Sequence, residues 1–310
     1  MAETSAIEWC DATVNFWWGC TKVSPGCDHC YAESWNAFRG TGEWGPGAPR
    51  RKIKGAVSLI RMLNRKSSLT FFNEHSRLMR VFMQSMSDTF DNEVDDAWRQ
   101  ELFTEAAHAI GLRIIFLTKR GANVAKMVPT SWLDNWPRHI GLMFSITNQR
   151  EANRDIPRLI DLKQRLGLPW IGLSMEPLLG RVRLKREWLD HIDWVIVGGE
   201  SGKDARPMHP EWLDDIMNAC TLRGYPRKPV PFLFKQWGEW VPVDVARKLP
   251  SVKPMQAYPS VDLPRDHNAF SATNLGTVKM VRVGKRAAGR EIYGSEYLQF
   301  PRVLDKRNSA

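Results

Sequence analysis

Three of the five cysteines, Cys20, Cys27 and Cys30, fall within eleven residues at the spacing C-x6-C-x2-C. Clustered thiols of this kind serve as metal ligands or redox groups. The Cys27/Cys30 half can bring two thiolates onto one metal centre, and Pro25-Gly26 supplies a turn that returns Cys20 to them. Three thiolates suit three irons of a [4Fe–4S] cluster and leave the fourth iron to an outside ligand. A closed structural zinc site would need a fourth protein ligand. His29 lies between two of the cysteines, where ligation would strain the loop, and Cys10 is a second candidate. Thiol redox chemistry is the third possibility. Cys220 lies far away on an apolar helical stretch and reads as a core thiol.

The next chemically informative residues follow short apolar runs. Met86 leads into Ser87-Asp88, Leu117 into Thr118-Lys119-Arg120, and Phe144 into Ser145, Thr147 and Asn148. Leu173 leads into Ser174 and Glu176-Pro177, Val197 into Gly198-Gly199-Glu200, and Phe234 into Lys235-Gln236-Trp237. Strand C-termini of barrels and open α/β sheets open on one side, where sites are built. Polar loops begin at strand ends in any protein, but a cation or carboxylate directly after four apolar runs (Lys119, Glu176, Glu200, Lys235) points to a shared mouth.

The elements that would position these groups alternate. Strands are expected at Val81–Met86, Ile114–Thr118, Ile140–Ile146, Trp170–Met175, Trp194–Val197 and Val230–Phe234, with a first strand near Ile7–Trp9 or Thr13–Trp17. Helices are expected from about Tyr31 and at about 95–111, 149–166 and 210–223, the last stopping at Gly224. Near-continuous apolar strands separated by helices predict a parallel α/β sheet covered on both faces. Six or more such units suit a partial or full (β/α) barrel over residues 1–240, and a doubly wound open sheet is the competitor. Residues 241–310 would form a C-terminal extension packed on the barrel. Trp240 to Asn274 is rich in Pro, Asp and Ser and reads as an irregular excursion, whereas Thr277 to Arg290 alternates apolar and basic residues and predicts a strand, with turns at Gly284 and Gly289. That strand would be a phosphate-facing rim or a solvated edge strand.

Composition narrows the partners. The 310 residues carry a formal charge of +10, which favours polyanions, nucleic acid first. Fourteen tryptophans is a high count: core packing is the first reading for any one of them, and others could line a groove where flat ligands stack. An odd cysteine count without an N-terminal apolar segment speaks against a disulfide-stapled secreted domain. No apolar run of about 18 residues predicts a membrane span. A reducing, cytoplasmic setting is expected.

The chain resembles the phage Gp37/Gp68 family nearly end to end. The resemblance rests on Ile7-Glu8-Trp9, Asp11-Ala12-Thr13, the cysteine segment Gly19–Glu33, Ser87-Asp88, and Leu117-Thr118-Lys119-Arg120. It continues through Glu176–Gly180, Asp193–Gly202, Arg206-Pro207-Met208, Phe234–Gly238, Gly284-Lys285 and Ala288-Gly289-Arg290. Cys10 departs from it, standing where a hydroxyl residue is expected. That family is similar to a divergent branch of the radical S-adenosylmethionine enzymes, which carry a three-cysteine loop after the first strand of a partial (β/α) barrel. Their usual first gap is three residues shorter than the gap between Cys20 and Cys27.

The resemblance implies a [4Fe–4S] cluster on Cys20, Cys27 and Cys30, S-adenosyl-L-methionine on its open iron, and an electron donor as partner. It implies cofactor contacts at Tyr31, Ser87, Asp88, Gly198, Gly199 and Glu200. Lys119, Glu176 and Lys235 become candidate catalytic residues, and Arg120, Gln236, Trp237, Lys285 and Arg290 candidate substrate contacts. Three functions compete: a radical enzyme modifying or repairing a nucleic acid or nucleotide, a non-radical iron–sulfur protein that binds nucleic acid, and a zinc-stabilised phage or defence interaction protein.

Overall fold

Each apolar run becomes a strand of one sheet in the computed structural model, which describes residues 2–222, 228–249, 251–252, 259–264 and 277–305. The strands are β1 (Ala12–Val14), β2 (Met79–Met83), β3 (Leu112–Thr118), β4 (Ile140–Ser145), β5 (Ile171–Met175), β6 (Trp194–Gly198) and β7 (Phe232–Gln236). All six neighbouring pairs are parallel. Their spatial order follows the chain order from β1 to β7. A doubly wound sheet reverses its order at a switch point; this one does not, so the architecture is the barrel type, left open between its edge strands β1 and β7.

The connections carry α1 (Tyr31–Arg39), α2 (Ala56–Lys66), α3 (Asp96–His108), α4 (Gln149–Leu166) and α5 (Pro210–Thr221), of which all but α2 were expected. The Asp95 carboxylate accepts from Ala97 N–H at the start of α3, and Asn148 accepts from Glu151 N–H at the start of α4, each satisfying an otherwise orphan donor. Gly167 ends α4 at φ 63°, the left-handed conformation glycine takes without strain. The stop expected at Gly224 lies outside the described residues.

Side-chain alternation divides the strands between two cores. Val81, Met83, Ile114, Phe116, Leu142, Phe144, Leu173, Val195, Val197, Phe232 and Phe234 pack outward with the helices. Phe82, Ile115, Met143, Trp194, Ile196 and Leu233 point inward and pack with Trp9 and Trp170. Trp9 lies 4.7 Å from the Phe82 ring on β2 and 6.4 Å from Trp194 on β6. Four interstrand steps in a flat sheet would separate β2 from β6 by about 19 Å. One indole touches both only because the sheet is curled into a half-barrel.

The C-terminal segment closes the far end of this interior. Leu298 pairs antiparallel with Leu233 of β7, Phe300 and Leu304 join the inner core, and Asp305 reaches Arg80 at 2.6 Å. Before it lies a small antiparallel sheet. The stretch read as irregular contains β8 (Trp240–Pro242), a helical turn at Val243–Ala246 and β9 (Ser260–Pro264). The predicted strand is β10 (Thr277–Arg282), and it runs between β8 and β9. It is therefore a central strand, not the solvated edge of one reading. Positions 250, 253–258 and 265–276 lie outside the described residues. Gly284 and Gly289 turn the chain at φ 86° and 66°.

Candidate functional site at the barrel mouth

The period of two that builds the inner core also builds the mouth. Continuing each inward row past its last apolar residue gives Gln84 after Phe82, Lys119 after Leu117, and Ser145 after Met143. It gives Glu176 after Ser174, Glu200 beyond Ile196, and Lys235 after Leu233. All of these polar residues line one cavity of ≈ 420 Å³ above Trp9, Phe82 and Leu117. A cavity of this size suits a cofactor or small ligand.

Cys20, Cys27 and Cys30 line the same cavity. Their loop follows β1 and is seated by three neighbours. Gly19 N–H donates to Met86 O at 3.3 Å and Ser87 Oγ donates to Trp17 O at 3.1 Å, docking the loop on the end of β2. At Gly26 a Cβ would stand 2.6 Å from Thr147 Cγ2, so only glycine lets the loop sit on the end of β4. The third neighbour is the loop after β6. Arg206 donates to Asp28 Oδ2 at 3.0 Å and to Pro25 O at 2.9 Å while its fork holds Glu200 at 2.7 and 2.9 Å. His29 Nδ1 lies 3.2 Å from Glu200 Oε2. Contacts between the first and sixth units across the mouth follow directly from the curl.

His29 is thus directed at a carboxylate. Cys10 contacts Ser5 Oγ at 3.4 Å on the other side of the N-terminal segment, and Cys220 is buried in α5. Neither cysteine lines the cavity, so its sulfur set is three. Among the described residues no three His, Cys, Asp or Glu side chains gather as ligands of a single ion. A tetrahedral zinc needs its ligands at about 2.0–2.3 Å from one point, whereas a [4Fe–4S] cluster gives each thiolate a separate iron. The three cysteines at this cavity can supply the three thiolates of the second arrangement. Burial holds the Cys20 thiol up at about 12, against the pull of Arg120, so the metal-free thiol is neutral.

Several other expected residues meet here. Lys235 Nζ lies 3.2 Å from Glu176 Oε1, and Lys119 Nζ donates to Ser145 Oγ at 3.3 Å. Tyr31 donates its hydroxyl to Ser85 O. Ser87, Gly199, Glu200, Gln236 and Lys285 all line the cavity. At Gly198 a Cβ would meet Glu176 Oε1 at 2.4 Å, and at Gly199 it would meet Trp237 O at 1.8 Å. The close approach at these glycines is to the protein's own groups. Asp88 accepts from Thr118 Oγ1 at 2.8 Å, Phe90 N–H at 2.9 Å, Arg120 at 3.1 Å and Lys119 N–H at 3.2 Å, so its carboxylate is engaged within the wall.

Two expected substrate contacts stand apart. Trp237 is buried, donates its indole N–H to Glu291 O, and with Arg290 lines a second cavity of ≈ 1280 Å³ against the C-terminal sheet. Arg290 pairs there with Glu296 at 2.9 Å. The two cavities share Glu8, Lys235, Gln236 and Lys285.

Residues 4–301 match the family described as "Protein of unknown function (DUF5131)". The chain belongs to that family. A comparison with curated proteins finds no match. Among solved structures, spore photoproduct lyase complexed with dinucleoside spore photoproduct is 13% identical, over 91% of this chain and 71% of that one, with a TM-score of 0.40. A double mutant of the same enzyme with bound AdoMet and dinucleoside spore photoproduct is 14% identical over the same shares, with a TM-score of 0.43.

The site of this DUF5131 protein also holds residues that the sequence pattern did not single out as ligands. Gln84 takes φ 64°, accepts from Phe16 N–H at 2.6 Å and donates to Ser87 Oγ at 2.8 Å. A polar residue inside the run Val81–Met86 was the available signal. Glu8 Oε2 and Trp9 Nε1, together with Oε1 of the expected contact Gln236, are buried at the cavity without a hydrogen-bond partner among the described residues. Burial opposes charge on Glu200, but hydrogen bonds from Arg206 and His29 outweigh it and hold this carboxyl below its usual range.

Proposed function

We propose that this chain is an iron–sulfur enzyme of the radical S-adenosylmethionine type, modifying or repairing a nucleic acid or nucleotide. One observation carries the reading: three cysteines, and no fourth, line a cavity at the strand C-termini of a parallel half-barrel. That set leaves one iron of a [4Fe–4S] cluster open to an outside ligand. When bound, such a cluster supplies the single electron that cleaves S-adenosylmethionine and starts radical chemistry.

The chain's own residues hold, orient and shield. Cys20, Cys27 and Cys30 supply the thiolates. Lys119 supplies a cation suited to a ligand carboxylate, while Glu176 suits an ammonium or ribose hydroxyls. Lys235 Nζ and Glu176 Oε1 form an ion pair across which a proton can be held. The unpartnered Gln236 Oε1, Glu8 Oε2 and Trp9 Nε1 offer two acceptors and one donor to a heteroaromatic ligand, which would remove the penalty of leaving them buried and unpaired. The Arg206–Glu200–His29 contacts tie the cysteine loop down and restrict water at the mouth. A charge of +10 favours a polyanionic substrate.

Anaerobic reconstitution with iron and sulfide, followed by S-adenosylmethionine and a one-electron reductant, is expected to yield 5′-deoxyadenosine. A fully loaded cluster that cleaves none overturns the radical part and leaves a non-radical iron–sulfur protein. Zinc near one per chain, without iron or sulfide, in anaerobically purified protein overturns the whole reading.

A further inference from the structure

Arg120 follows β3 directly and lines the cavity, with most of its side chain buried beside the cysteine loop. One guanidinium nitrogen, Nη1, donates to Cys20 Sγ at 3.4 Å and to Asp88 Oδ2 at 3.1 Å. The other, Nη2, donates to Thr21 O at 2.7 Å and lies 3.5 Å from Asp91 Oδ1. The fork therefore grips a cysteine sulfur and the next peptide together.

Its orientation is fixed from behind. Asp91 pairs with buried Arg50 at 2.8 Å, and Arg50 donates to Thr21 Oγ1 at 2.7 Å. Asp88 is held by Thr118 Oγ1 and by two backbone N–H groups. Asp88, Asp91 and Glu93, the last 3.2 Å from Arg50, offset the charge of the two arginines. What reaches the sulfur is then chiefly a fixed N–H dipole in a water-poor wall, where such a donor acts more strongly than in water. The other two sulfurs lack this. Cys27 faces only Ser24 Oγ, at 3.8 Å, and no cationic donor reaches Cys27 or Cys30 sulfur among the described residues.

We propose that Arg120 is a positioning residue that raises the electron affinity of the iron held by Cys20, making one corner of the cluster electronically distinct. This rests on the iron–sulfur reading above. A hydrogen bond to a ligating thiolate withdraws charge from it and stabilises the reduced cluster, which carries one more electron. Lysine cannot replace the fork, because an ammonium lacks its planar pair of donors.

The test is a redox titration, followed by electron paramagnetic resonance, of the loaded full-length protein and of Arg120→Lys and Arg120→Gln. Both variants are expected to show a reduced-to-oxidised ratio about tenfold lower at the wild-type midpoint, a shift of about 59 mV for a one-electron couple. Arg120→Lys retains the charge that Asp88 and Asp91 need, so it serves if Arg120→Gln does not fold. Arg206→Lys is the control, since Arg206 ties down the same loop without touching a sulfur. It is expected to change cluster retention but not potential.

An unchanged potential in loaded Arg120→Lys overturns the inference and leaves the function intact. An equal shift in Arg206→Lys also overturns it, because the effect would then come from general loosening of the loop. A wild-type protein that takes up no iron–sulfur cluster overturns the function and the inference together.

Discussion

Cysteines of one chain answer to their surroundings. Cys20, Cys27 and Cys30 share a cavity, while Cys10 and Cys220 are buried elsewhere, and burial raises the pKa of both. Replacing any one of the three by alanine is expected to remove most iron and sulfide after reconstitution, measured per chain by colorimetric assay. Cys220→Ala is expected to retain them fully. A second residue-scale expectation concerns acid. Burial works against the charge on Asp11, but the bidentate fork of Arg77, at 2.6 and 2.8 Å, outweighs it and holds the carboxyl below its usual value. A depressed carboxyl contributes stability that is complete above its unfolded pKa of about 3.9 and disappears as pH falls through the lower folded value. Asp11→Asn should therefore lower the melting temperature at pH 7, with the difference from wild type shrinking as pH falls below about 4, as calorimetry would read.

At the level of elements, the loops after β6 and β7 are coupled by contacts too close for substitution. Gly199→Ala would push a methyl into Trp237 O, 1.8 Å from the ideal Cβ. Overpacking of this kind costs about 1–3 kcal/mol, and denaturant unfolding should show that loss even in metal-free protein. The strands from β2 to β7 and the helices α1, α3, α4 and α5 were legible because two-sided burial gives unbroken apolar runs and because helices such as α4 and α5 keep an amphipathic period. The inward row ending in Lys119, Glu176, Glu200 and Lys235 was legible for the same reason. The wall behind Cys20 was not, because Arg50, Asp91 and Arg120 meet only after the sheet curls, and no local period links them. A cation after a strand gives no sign of whether it also grips a buried aspartate, as Arg120 does while lining the cavity. β10 showed its alternation but not its neighbours, since both of its partners lie in a stretch whose Pro, Asp and Ser content hid them.

The molecule as a whole couples a basic surface to a half-barrel whose mouth carries the site. If polyanions are the partners, binding to single-stranded oligonucleotides should weaken steeply with salt. With six or more phosphates neutralised, affinity should fall by about 10³-fold between about 50 and 200 mM salt; fluorescence anisotropy reads this directly, and a flat response would argue for a small, weakly charged substrate. The segment that seals the base of the barrel has a consequence in time. Arg80 and Asp305 are 225 residues apart in the chain, and Phe300 and Leu304 pack against strands that leave the ribosome long before them. Until that strap arrives, Trp9, Phe82 and Trp194 form an open apolar trough. Newly made chains therefore pass through a sticky interval whose length is set by translation speed. Slowing synthesis late in the message should raise the demand for chaperones, while slowing it early should not.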